Sequence, residues 1–300
     1  MPVTTVRATG TGPCSIPPLF ARLVDDTSLL RPRHAAPAID AVVARYLGAR
    51  DHDRYGGLVG HLACPVSRLS ALVAELARAR PSRPVDVSLV VDTGLGAVPK
   101  ALSTVFSRSG LLIPRTVETS APPDVDAMWL ERVAEFVPED VVAVVEPRRP
   151  QEAEVVGTGA WLVAVRRVAE HGCAPKLRCG GPRPSDVPSV ADVEQFIRVV
   201  VEVGREFTAF CVSQIARTEG TSAQPARHGI LNLVVAVSRV LVDGDVRQAL
   251  ESTDAAALAG EVDALSKRAA TGVRGLLSRC GADAEPAAAV QLAGLGLLHQ

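Results

Sequence analysis

The feature that most constrains this chain is a regular alternation of short apolar runs with longer segments of helical periodicity. Residues 57–64, 85–92, 112–118, 141–146, 175–179 and 207–212 are rich in Val, Leu, Ala and Phe and are set off by Pro, Gly or charged residues, as buried strands are. Between them, residues 68–80, 98–107, 126–136, 159–170 and 190–203 carry apolar side chains at helix spacing. The runs recur at intervals of roughly 25 to 35 residues, room for a strand, a crossover helix and two loops. Such crossovers are right-handed, and the sheet they build is parallel and covered on both faces.

Six strands follow from this pattern, and residues 230–237 supply either a seventh or, within 228–241, a helix. Segments 19–30 and 38–47 have helical spacing and precede the first strand, with Pro32 and Pro37 between them. After Asp245 the chain is Ala-rich and reads as helical to its end, broken at Pro286. The pattern favours a TIM-barrel-like (β/α) fold with irregular ends, extra N-terminal helices and a helical C-terminus; the alternative is an open parallel α/β sheet. Neither G-x-G-x-x-G after the first strand nor G-x-x-x-x-G-K-[ST] occurs, so the open sheet lacks its nucleotide-binding fingerprints. Residues 91–96, Val-Asp-Thr-Gly-Leu-Gly, have the wrong spacing and read as a loop. One domain over 19–300, preceded by a disordered Pro- and Thr-rich arm at 1–18, accounts for the whole pattern.

Several function classes are disfavoured. The net charge of −1, with acids and bases interleaved, leaves no footprint for nucleic acid or an anionic membrane, and aromatics are only 3% of the chain. The longest apolar run, 230–237, is too short to span a bilayer, and no charged start followed by an apolar stretch marks a targeting segment. Six cysteines are scattered without a CxxC pair, which suggests reduced thiols and a cytoplasmic location. The Ala, Val and Arg bias follows genome composition and is not read as chemistry.

Charged residues at the strand ends carry the functional signal. Three consecutive strands end in an acid, at Asp92, Glu118 and Glu146, and the next reads Ala-Pro-Lys-Leu-Arg-Cys-Gly-Gly over 174–181. A period of two puts Lys176, Arg178 and Gly180 on one face and Leu177 and Cys179 on the other, with the cations expected to point inward. Lysine occurs elsewhere only at Lys100 and Lys267, so a lysine in an apolar strand stands out. In parallel α/β folds the carboxyl ends of the strands form the active-site mouth. A ring of acids facing two cations is therefore expected at one rim, as an anion site or as salt-bridged strand ends.

Three such acids could hold a hard cation such as Mg²⁺, or could move protons while Lys176 and Arg178 hold a carboxylate or phosphate. The six histidines show no HxH or HExxH pairing, which argues against catalytic zinc. A Schiff base on Lys176 would require Arg178 and burial to lower its pKa. A second constellation is Arg227-His228-Gly229-Ile230-Leu231-Asn232. On a helix, His228 and Asn232 would share a face and converge on one ligand, with Ser213 and Gln214 at the same rim; the alternative is a structural histidine at a helix start. The polar residues 217–222 read as a lid or a disordered loop. The candidate catalytic residues are Glu146, Glu118 and Lys176. Those for substrate binding are Arg178, Asp92, Gly180, Gly181, Gln214, His228 and Asn232, and no metal ligand is assigned.

Four motifs together give the chain a resemblance: Leu-Val-Asp-Asp at 23–26, Cys-Pro-Val-Ser-Arg-Leu at 64–69, Lys-Leu-Arg-Cys-Gly-Gly at 176–181 with Pro188-Ser189 beyond it, and His-Gly-Ile-Leu-Asn at 228–232. Over most of 20–240 it resembles a family of uncharacterised, mainly actinobacterial, barrel-like proteins. The resemblance implies a shared fold and site rather than an activity. It also implies a Thr-Ala-Gly-Leu-His-His-like segment after the strand that follows the Arg-x-Gly-Gly motif. Residues 209–214, Ala-Phe-Cys-Val-Ser-Gln, stand there instead, so both histidines are missing.

Two classes of function are expected. One is a soluble barrel enzyme of lyase or isomerase type, acting on a small anionic metabolite held by Lys176 and Arg178 while Glu146 or Glu118 moves a proton. The other is a non-catalytic binding or scaffold relative that lost the His-His segment. A second copy of the chain is the protein partner left open by either class.

Overall fold

The first and last strands pair with each other, and this closure organises the molecule. The computed structural model describes residues 16–32, 35, 37–149, 158–181, 183–212, 215–219, 226–282 and 287–298. In it, eight parallel strands close into a barrel in sequence order. They are β1 (Val24–Asp26), β2 (Val59–Pro65), β3 (Val85–Val90), β4 (Leu112–Ser120), β5 (Val142–Glu146), β6 (Ala174–Arg178), β7 (Phe207–Phe210) and β8 (Leu277–Ala282). The crossovers are α1 (Ile39–Arg50), α2 (Leu69–Ala79), α3 (Val98–Phe106), α4 (Ala127–Phe136), α5 (Thr158–Glu170) and α6 (Val190–Val203). Between β7 and β8 lie α7 (Ile230–Val240), α8 (Val246–Glu251), α9 (Ala255–Asp263) and α10 (Lys267–Leu276), and α11 (Ala287–Gly294) follows β8. Closure rules out the open sheet.

The alternation inside each strand decides what faces where. In β3, Val85, Val87 and Leu89 point outward into the layer under α1–α3, which leaves Asp86 and Ser88 to the lumen. In β7 and β8, Phe207, Ala209 and Cys280 join the outer core with α6, α7 and α10. The lumen receives Asp25, His61, Ser88, Thr116, Glu118, Lys176, Thr208 and Arg279, in place of the branched aliphatic layers that commonly fill such barrels. Stability therefore comes mainly from the shell between strands and helices, where each fully buried aliphatic side chain is worth about 1.5–3 kcal/mol.

Several expectations change. Segment 19–30 is not a helix: it contains β1 and a 3₁₀ turn at Ser28–Leu30. The helix expected at 38–47 is α1, the first crossover, so neither expected N-terminal helix is an extra one ahead of the barrel. The apolar run 230–237 is helical, begins after the extended Gly229, and is buried on all sides between the barrel and α8–α10. The helical C-terminus is interrupted by β8, which closes the barrel. Most of the arm at 1–18 lies outside the described residues. Its described end is not free: Ile16 packs on the core, and the Pro17 carbonyl accepts from the Phe20 and Ala21 N–H groups. Among the described residues no helix is long and apolar enough to cross a membrane.

Candidate functional site

At the carboxyl ends of the strands the barrel opens into two joined cavities. One, of about 320 Å³, is lined by Pro65, Asp92, Glu118, Glu146, Lys176 and Phe210, among others. The second, of about 270 Å³, shares Ser120, Glu146, Lys176 and Arg178 with it and adds Arg148, Arg149, Arg183 and Trp161. Parallel registry sets this meeting: Glu118 lies opposite Val144, Ser120 opposite Glu146, Lys176 opposite Thr208 and Arg178 opposite Phe210. Asp92, Glu118, Glu146, Lys176 and Arg178 thus share one rim, as their strand positions predict. The face assignment of β6 also holds, with Cys179 fully buried in the outer core.

The charges at the floor are paired. Lys176 Nζ donates to Glu118 Oε2 at 2.6 Å and lies 4.0 Å from Glu146 Oε2. Arg178 grips Glu146 with two parallel bonds, at 2.5 and 2.9 Å. Ser88 donates to the other Glu118 oxygen and accepts from Thr116 at 2.6 Å. The Phe210 ring covers both cations, 4.4 Å from Lys176 Nζ and 4.9 Å from the Arg178 guanidinium carbon.

These contacts fix the protonation states. Burial alone would lower the Lys176 pKa, but the Glu118 and Glu146 carboxylates outweigh it and hold the ammonium above the ordinary lysine range. This runs against the Schiff-base expectation, which counted burial and Arg178 but not the two carboxylates. Burial would raise the Glu118 pKa, and the Lys176 charge with the Lys176 and Ser88 hydrogen bonds reverses that, keeping the carboxyl below its usual range. The floor is an ammonium and a carboxylate: a donor for a developing oxyanion and a hydrogen-bond acceptor.

Other candidates fall elsewhere. Asp92 lines the mouth but is engaged with Ser67, accepting from its N–H at 3.0 Å and from its hydroxyl, which fastens the turn before α2. The acids do not converge as the Mg²⁺ expectation required. Among the described residues no group of three or more His, Cys, Asp or Glu is placed to hold a metal ion. Gly180 and Gly181 do not line either cavity; a Cβ on Gly181 would lie 2.5 Å from Asp186 Oδ2, so this glycine lets the loop fold back on itself. Gln214 and Ser213 lie outside the described residues, as do residues 220–222 of the polar loop.

His228 and Asn232 are structural. Both are fully buried. His228 Nε2 donates to the Pro188 carbonyl at 3.0 Å, and Nδ1 accepts from Arg217 at 3.3 Å, as a neutral ring does. Asn232 donates to the Ala249 and Ser252 carbonyls at 2.7 and 2.8 Å and accepts from the Arg217 N–H at 2.6 Å. They bind loops and helices together instead of facing a ligand. Gly229 between them is needed for close approach, since a Cβ there would lie 2.4 Å from the Ala216 backbone.

Sequence reasoning missed Ser88, Phe210, Arg148, Arg149 and Arg183. Ser88 was legible as the polar residue among outward-facing Val87 and Leu89, whereas the arginines sit in loops that carry no periodicity. Compared with known proteins, the chain matches no family model and no curated protein.

Proposed function

We infer that the chain is a barrel enzyme of lyase or isomerase type that acts on a small anionic metabolite at the carboxyl-end mouth. The observation that carries this reading is the buried Lys176–Glu118 pair, 2.6 Å apart, on the floor of a cavity whose outer lobe is lined by Arg148, Arg149, Arg178 and Arg183. Arg149 is braced by Asp192 and the Ser185 carbonyl, and Arg183 by Asp186, so the lobe is built rather than loose. The arginines would hold the substrate's carboxylate or phosphate.

Proton abstraction beside a carbonyl needs a base and a cation for the oxyanion that forms. Lys176 is the cation, kept charged by Glu118. Glu146 lines both lobes, touches Arg178 and lies near Lys176, and is the proton-moving group. Free, unbridged thiols at the described cysteines suit a reducing cytoplasm. The test is exchange of a bound ligand's α-hydrogen with solvent deuterium. Glu146→Gln should abolish exchange while the ligand still binds; exchange at the wild-type rate in Glu146→Gln would overturn the assignment.

A second reading has its own observation: Lys176 and Arg178 already have carboxylate partners within the chain. On that reading the pairs are structural and the chain is a binding or scaffold protein. Such a protein would bind its ligand without any solvent exchange.

A further inference from the structure

The two aspartates of the Leu-Val-Asp-Asp motif face opposite ways. Asp26 points outward, accepting from the Ser28 N–H at 2.9 Å and pairing with Arg45 at 3.3 Å. Asp25 points into the lumen beneath the mouth. Its Oδ1 accepts from the His61 N–H at 2.6 Å, and its Oδ2 lies 3.6 Å from Arg279 Nε, too far for a hydrogen bond. Gly60 makes room for it, since a Cβ there would sit 2.2 Å from Asp25 Oδ1.

Between Asp25 and the mouth lies a cavity of about 10 Å³, bounded by Asp25, Glu118, Lys176, Thr208 and Arg279. That is the space of one water molecule. Two polar atoms of its lining residues, Thr208 Oγ1 and Arg279 Nε, are buried without a protein partner, as is the neighbouring lumen atom His61 Nδ1. Buried polar atoms are nearly always satisfied, and a bound water with two to four partners is the usual means where protein groups do not meet.

We propose that this cavity holds one ordered water linking Asp25 to the Lys176–Glu118 pair, and that Asp25 exchanges protons with the mouth through it. In the delivering direction the Asp25 O–H bond breaks, its proton joins the water, and a proton of that water forms an O–H bond on a solvent molecule at the mouth. Asp25 is left a carboxylate facing the His61 N–H and Arg279, and Glu118 and Lys176 keep their charges. The return step is the reverse. The relay rests on the mouth being the reaction site, whereas the water and its link to Asp25 do not.

The surroundings of Asp25 suit a reservoir. Burial raises its pKa, Arg279 and the His61 N–H pull it back, Glu118 pushes it up and Arg274 lowers it, leaving a value of about 7. Lys176 faces the same cavity and stays charged. His61, Cys280 and Tyr46 nearby are moved away from neutrality. Burial holds the His61 ring neutral, pushes the Cys280 thiol up to about 12, and raises the Tyr46 hydroxyl, which donates to the Gly60 carbonyl.

The test uses the full chain without any ligand. Infrared titration of the wild type should show a buried carboxyl ionising near neutrality, and Asp25→Asn, which keeps an acceptor for the His61 N–H, should remove it. Thr208→Val keeps the side-chain shape and deletes the water's partner; it should shift that midpoint by roughly half a pH unit. A crystal structure of the wild type should show solvent density against Thr208 Oγ1. No such density, or a midpoint unchanged in Thr208→Val, overturns the proposal. If the mouth proves not to bind anions, the water and the titration persist, so the two failures are separable.

Discussion

Lys176 and Arg178 sit two residues apart on one strand, yet their replacement should have different consequences. Lys176 is buried with Glu118, so Lys176→Met strands a buried carboxylate and should cost about 3–5 kcal/mol. The Arg178 side chain is 40% exposed, and Glu146 keeps Lys176 within 4.0 Å, so Arg178→Met should cost about 1 kcal/mol. Urea unfolding of both variants checks this, and equal losses would contradict it. Asp25 supplies a second test. Its pKa is raised to about 7, so between the unfolded aspartate value and pH 7 the folded chain binds more protons than the unfolded one. Its contribution to stability is fully present in acid and lost as pH rises through that window, by on the order of 4 kcal/mol. Asp25→Asn should remove this slope; a difference curve flat from pH 4 to 7 would contradict the assignment. At this scale the alternation of β6 was legible, because neighbours in sequence determine which way a side chain points. The protonation state of Lys176 was not, because it depends on Glu118, 58 residues away.

The central strands announced themselves, since each carries a buried apolar face and lies between helices of clear period. The closing strands did not. β1 is Val-Asp-Asp, with one aspartate turned into a polar lumen, and β8 is Leu-Ser-Arg-Cys-Gly-Ala, directly after α10 with no breaker between. A polar lumen removes half of the apolar signal from the strands that line it. The motif around α7 was visible, but its role stayed open between a ligand face and a structural histidine: four-residue spacing does put His228 and Asn232 close together, and nothing local says that the surrounding face is buried. Asn232→Ala would leave the Ala249 and Ser252 carbonyls and the Arg217 N–H without their partner, and should cost about 2–4 kcal/mol with anion binding at the mouth unchanged. His228 adds a pH dependence. Burial chiefly, and Arg217 besides, lower its pKa to about 4 against the Pro188 bond, so its stabilising effect is present above pH 6.5 and lost as pH falls toward 4, by about 3 kcal/mol. Thermal unfolding from pH 4 to 7 with His228→Gln as reference measures it; parallel curves would contradict it.

For the molecule as a whole, an apolar shell supplies the stability and leaves the lumen free to carry charge. Asp25, Arg279, Lys176 and Glu118 form a polar column from the barrel's interior to its mouth, topped by a lobe rich in arginine. A barrel selected for stability alone would fill that column with Val and Ile. The central claim is that this mouth takes a small anion. A bound anion stabilises the folded chain in proportion to the logarithm of its concentration over Kd. The direct measurement is thermal unfolding of wild type and Arg178→Met across a panel of small carboxylates and phosphate esters. The account predicts that at least one anion raises the wild-type Tm, that Arg178→Met loses most of that rise, and that its ligand-free Tm stays close to wild type. A wild type unmoved by every anion, together with a large fall in the ligand-free Tm of Arg178→Met, would contradict it.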